Sequence, residues 1–156
     1  MLKRRHLLIA LGVAPMPVAW AHHGWSSFDQ KRPLYLEGVA RKVAWRNQHA
    51  EFDLEVDSDL KLPADLAKRS LPPQTAAVDG AWLLSTAVLP TRKDKVWHIE
   101  LAPLTRLEAW KATEIRNGER VGLLGFTFFE EKGDPVLRGE YLFAGSRTYG
   151  LRSSPA

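Results

Sequence analysis

His49-Ala50-Glu51-Phe52-Asp53-Leu54-Glu55-Val56-Asp57 alternates apolar and polar residues along its whole length. Ala50, Phe52, Leu54 and Val56 fall on one side of an extended chain, and the histidine and four carboxylates on the other. Successive side chains of a β-strand point to opposite faces, so this period of two predicts a strand with one buried face and one wet face. Upstream, Pro33 opens a long extended segment from Leu34 to about Asn47, on which Val39, Val43 and Trp45 share one parity opposite Lys42 and Arg46. Gly38 interrupts it and predicts a bulge or sharp coil there. Asn47-Gln48 then joins the two strands into a hairpin.

Downstream the texture changes. Ser58 to Gln74 reads as a surface insertion, with a short helix over Pro63 to Arg69 that carries proline in its first turn and ends before Pro72-Pro73. Trp82 to Leu89 reads as a buried strand. Val96 to Leu101 is another, with Trp97, Ile99 and Leu101 on one face and His98 and Glu100 on the other. Leu104, Leu107 and Trp110 have helical spacing within a short segment from Pro103 to Lys111. Asn117-Gly118, Lys132-Gly133-Asp134 and Ala144-Gly145-Ser146-Arg147 turn the chain between strands over Arg120 to Phe129, Val136 to Phe143 and a last short hairpin to Tyr149. The fold expected is mainly β: a small OB-like antiparallel β-barrel with one or two short helices, the β-sandwich being the alternative.

The first 21 residues read as a cleaved export signal. Lys3, Arg4 and Arg5 precede an apolar run from Leu7 to Ala14, and Ala19-Trp20-Ala21 supplies a small-x-small cleavage pattern. The run is far shorter than the roughly 20 residues that span a bilayer, so no stable membrane anchor is expected after cleavage. Arg4-Arg5 before His6-Leu7-Leu8 also loosely resembles a twin-arginine signal, although the general secretory route is favoured. The expected mature chain, residues 22–156, is one periplasmic or secreted β-rich domain with an N-terminal arm over residues 22–33. Trp25 and Phe28 pin that arm through their large apolar areas.

Cleavage alters the charge and the ligand chemistry. Nineteen basic and eighteen acidic residues remain, a net of +1, which does not suggest a nucleic-acid-binding surface. The chain has no cysteine, and both methionines, Met1 and Met16, lie in the signal. Any metal site of the mature protein must therefore use nitrogen and oxygen, which favours Cu(II), Zn(II) or Ni(II) over Cu(I).

Cleavage after Ala21 makes His22 the first residue, so an α-amine and an imidazole can chelate one ion. The amine's ordinary pKa of about 7.7 lets a Lewis-acidic ion displace its proton near neutral pH. A third nitrogen completes a T-shaped set suited to Cu(II). His49 is the preferred donor, with Glu51 on its face; His23 is close by but constrained by its adjacency to His22, and His98 is a further option. The plainer alternative is that terminal histidines are solvated and His49 caps a hairpin.

Other constellations carry less. Glu51, Asp53, Glu55 and Asp57 can meet a hard cation, but alternating charges usually mark the solvated face of an antiparallel sheet. Trp45, Trp82, Trp97 and Trp110 keep parity with aliphatic neighbours, which favours core packing over a ligand groove. A phosphate loop, a dinucleotide glycine fingerprint and a Gly-x-Ser-x-Gly elbow are all missing, so the reading leans away from an enzyme.

His22-His23-Gly24-Trp25 with Phe28-Asp29, Leu36-Glu37-Gly38-Val39, Val43-x-Trp45-x-Asn47-x-His49 and Gly118-Glu119-Arg120-Val121 together resemble a family of small bacterial exported proteins, domain of unknown function 6152. The family pattern reads Asn-Pro-His where this chain has Asn47-Gln48-His49, which alters the turn and keeps the histidine. The resemblance implies a periplasmic β-rich domain pairing a histidine terminus with an Asn-x-His histidine, and it brings no activity. The function expected is periplasmic metal binding or delivery, Cu(II) through His22, His23 and His49. The alternative is a metal-free interaction module for a protein, peptide or glycan partner.

Overall fold

A computed structural model describes residues 24–46 and 48–156. Within them the chain forms β1 (Leu34–Arg46), β2 (His49–Val56), α1 (Gly80–Thr86), β3 (Val96–Pro103), α2 (Leu104–Ala109), β4 (Arg120–Phe126), β5 (Val136–Ala144) and β6 (Arg147–Gly150). Strand neighbours run β3-β2-β1-β4-β5-β6, and β3 also pairs in parallel with β5. That pairing closes β1, β2, β3, β5 and β4 into a five-stranded barrel, with β6 added to β5. With α2 between the third and fourth strands, this is the OB-like barrel that the sequence suggests; a sandwich would instead stack two separate sheets.

The barrel interior is filled by the apolar parity of β2 and β3: Phe52, Leu54, Trp97, Ile99 and Leu101 are all buried there. β1 contributes differently along its length. Leu34, Leu36 and Ala40 face the core, then the register slips between Arg41 and Ala44, where Lys42 has φ 47, and beyond it Val43 and Trp45 pack against the same core. One extra residue in a strand exchanges its two faces, which is why Val43 and Trp45 share the core with residues of the opposite parity. The bulge thus falls four residues beyond Gly38. Gly38 itself stays in register, opposite Val56 of β2 and Val121 of β4 together.

The expected strand over Trp82 to Leu89 is largely a helix. Asp79 accepts a hydrogen bond from the Trp82 amide at 2.9 Å and caps α1, which buries Leu83 and Leu84 and leaves Trp82, Ser85 and Thr86 outside. A short apolar run does not by its period distinguish strand from buried helix, and here the cap decides. Only Val88 keeps an extended role, in a parallel bridge with Leu34. The helix expected over Pro63 to Arg69 is a single 3-10 turn, Leu66–Lys68.

The long β2–β3 connection forms part of the core. Leu66, Leu83, Leu84 and Ala87 pack with Tyr35, Leu124, Phe126 and Tyr141 into a second apolar cluster on the outer side of β1, β4 and β5. β4 is consequently buried on both faces, which explains the unbroken apolar run from Val121 to Phe126. Tyr35 donates to Glu37 at 2.7 Å from this layer; burial first, then the adjoining carboxylate, raises its phenol well above the ordinary range.

Candidate functional site

The arm before β1 lies across β4 and β5. Phe28 stacks on Phe128 with ring centroids 5.0 Å apart, and the Asp29 amide donates to the Thr127 carbonyl at 2.9 Å. Trp25 is held more elaborately. The Arg152 guanidinium lies 3.6 Å and that of Arg138 5.1 Å from its ring centroid, and Phe126 meets it edge-on. Flat guanidinium groups against an indole face gain cation–π attraction as well as contact area.

These arginines belong to a buried charged network. Arg152 pairs with Glu140 at 2.7 Å, and Arg138 with Glu100 at 3.2 Å; Glu140 is 0 % exposed and Glu100 3 %. Arg106 nearby donates to the Leu151 carbonyl at 2.7 Å, and burial first, then the charges of Arg138 and Arg152, lowers its pKa. Read as sequence, Arg138 and Glu140 alternate with apolar residues like a solvated strand face. The arm and the C-terminal segment cover that face, so the charges must satisfy one another.

Beside this network lies the wet face of β2 and β3. Glu51 stands in register with Glu100, and Asp53 with His98. The His98 ring is nearly buried between carboxylates, its Nδ1 3.5 Å from Asp53 and its Nε2 3.6 Å from Glu51. Lys42, turned out at the bulge, pairs with Asp53 at 2.9 Å. An OB-fold uses this strand pair to bind extended polymers, but a row of carboxylates repels phosphate and suits a cation.

His49 starts β2 on the same parity, two residues from Glu51. Because the strands are antiparallel, His49 and His98 flank the Glu51–Glu100 row on opposite sides. His22 and His23 lie outside the described residues. Among the described residues, no group of three or more histidine and carboxylate side chains is placed to hold a metal ion. Nor is any described helix long and apolar enough to cross a membrane. The place of His98 between two acidic residues depends on the β2–β3 register, which no local pattern specifies.

A cleft of about 650 Å³ opens at the other end of β2, between Asp57 and the 89–95 segment. One wall is fixed by Glu131, whose carboxylate accepts from the Thr91 and Arg92 amides at 2.9 Å and from Arg32 at 2.5 Å. Burial alone would raise the Glu131 carboxyl, but the two amides and Arg32 outweigh it and hold its pKa below the ordinary range. A depressed carboxyl contributes stability above its unfolded-state value, near 4.5, and loses it as pH falls through the lower folded value. Glu131→Gln is expected to cost about 2 kcal/mol at neutral pH and to flatten the acid limb of stability below pH 4.5, as read from urea midpoints across pH.

No curated protein matches the chain. A family model described as "Family of unknown function (DUF6152)" matches residues 10–61, a third of the chain, which spans the His22-His23 stretch, the arm, β1, β2 and His49.

Proposed function

We propose that the protein binds Cu(II) in the periplasm, for storage or delivery, through the α-amine and imidazole of His22 exposed by cleavage after Ala21. His23 lies beside them, and a third nitrogen comes from the barrel, from His49 or His98. What supports this reading is the clamp on Trp25. It fixes the chain next to the Arg138–Glu100 pair, at the margin of the acidic β2–β3 face. Two extended residues reach about 7 Å, enough to bring a terminal chelate from Gly24 toward that face. The Glu51 and Asp53 carboxylates around His98 supply the outer-shell partners that orient a ligating imidazole. The mature chain offers no sulfur, so Cu(II) fits it better than Cu(I).

The test compares the mature protein with a form carrying one additional glycine before His22, after mass spectrometry of the exported protein has fixed its first residue. The extension keeps every side chain and removes the α-amine from His22. Cu(II) affinity is expected to fall on the order of a hundredfold or more, at least the scale at which outer-shell changes act. Equal affinities would eliminate the terminal chelate and leave the interaction module as the reading. His49→Ala and His98→Ala, measured in parallel, identify the barrel donor by which one weakens binding.

A further inference from the structure

The cleft beside the 89–95 segment carries an inference independent of any metal. Its floor is apolar, formed by half-buried Val39, Val56, Leu60, Leu89 and Pro90. Its rim is charged, and the charges do not cancel. Arg41 pairs with Glu55 at 3.0 Å, Arg92 with Asp94 at 2.6 Å, and Asp57 with Arg120 from outside the cleft. Lys93 and Lys95 remain, with no ion pair among the described residues.

Hydrogen bonds from the 91–92 segment tether the wall that carries these lysines. Glu131 ties down the Thr91 and Arg92 amides, and the Arg92 guanidinium donates at 2.9 Å to the carbonyls of both Glu131 and Gly133. Arg92 also lies 5.5 Å from the Trp97 ring centroid, which anchors the segment to the barrel core. Two surplus positive charges are therefore held over an apolar trough. At 650 Å³ the trough falls in the range of sites for small molecules. We infer that this cleft binds a small amphiphile with an apolar chain and a single anionic head, the chain lying on Val39, Val56 and Leu60 and the head between Lys93 and Lys95.

The probes are decanoate and decyl sulfate, titrated into the mature protein with chelator present, by calorimetry and by amide chemical shifts. Both are expected to bind saturably, with shifts centred on residues 39, 56, 60 and 93–95; the tighter of the two identifies the head group. Decyltrimethylammonium, which has the same chain and the opposite charge, is expected to bind about tenfold more weakly or worse, the scale of one charge-assisted hydrogen bond. The double variant Lys93→Glu, Lys95→Glu changes only exposed side chains and is expected to lose decanoate affinity by a similar factor while unfolding at the same urea concentration. The inference is overturned by no saturable binding, by equal binding of the anionic and cationic probes, by shifts centred elsewhere, or by a folded double variant that binds as before.

Discussion

Gly38→Ala is expected to destabilise the barrel by about 3 kcal/mol or more, the upper end of what overpacking costs. A methyl group added there would lie 2.8 Å from the Glu55 carbonyl carbon and 2.9 Å from the Val56 Cα, and closer still to the Glu55 carbonyl oxygen. These are backbone atoms, so no side chain can turn aside. Nor can β1 retreat, because Gly38 is paired with Val56 on one side and Val121 on the other. Relief requires the β1–β2 ladder to part at the Gly38–Val56 pair. A natural domain is stable by roughly 5–15 kcal/mol in all, so the loss removes a large fraction of the total. The variant is expected to unfold at a clearly lower urea midpoint with an unchanged denaturant slope. An unfolding free energy within about 0.5 kcal/mol of the parent's, the scatter of ordinary surface substitutions, would show that β1 can coil away at that point.

The second large effect is expected at Arg152. Replacing it with alanine leaves the fully buried Glu140 carboxylate, among the described residues, with the Gln74 amide at 3.4 Å as its remaining polar side-chain partner. Removing one partner of a buried ion pair costs about 3–5 kcal/mol, because the remaining charge keeps its desolvation penalty. Arg152 also covers the Trp25 ring and donates to Gln30 at 2.9 Å, so the arm loosens in the same variant. The double variant Glu140→Leu, Arg152→Met separates the two contributions. It removes both charges and keeps bulk over Trp25, and is expected to recover most of the lost stability. Urea midpoints of the parent, the single variant and the double variant make the comparison. If the double variant were as unstable as Arg152→Ala, the loss would lie in the specific geometry around Trp25 rather than in a stranded charge.

Much of the barrel is legible from one strand. The alternation from His49 to Asp57 carries the buried face of β2, and the same period in Val96 to Leu101 carries that of β3. What escapes the pattern has particular causes. α1 passes for a strand because Leu83 and Leu84 sit in a short apolar run whose only helical signal is the Asp79 cap. The bulge at Lys42 is hidden because a lysine, not a glycine or asparagine, takes its left-handed backbone, whereas Gly38, which invites a bulge, is needed for a close strand approach. Arg138 and Glu140 look solvated until the arm is laid over them. At the candidate site, His49 and the acidic parity can be read locally. The placement of His98 between Glu51 and Asp53 arises only from the register of β2 on β3.

The parallel seam between β3 and β5 has a kinetic consequence. Three residue pairs, His98–Val136, Ile99–Leu137 and Glu100–Arg138, close the barrel between strands separated by α2 and the whole of β4. The β1–β2, β4–β5 and β5–β6 pairings join strands adjacent in sequence and can form early, whereas this closure must first overcome the entropy of a long intervening loop. The shortest ladder of the barrel thus joins strands that are not neighbours in sequence, and with three residue pairs it repays that closure least, which makes it the natural last step of folding. A molecule caught before that step, during folding or after partial unfolding, exposes the unpaired edges of β3 and β5 around Ile99 and Leu137. Such edges are templates for pairing with a second chain.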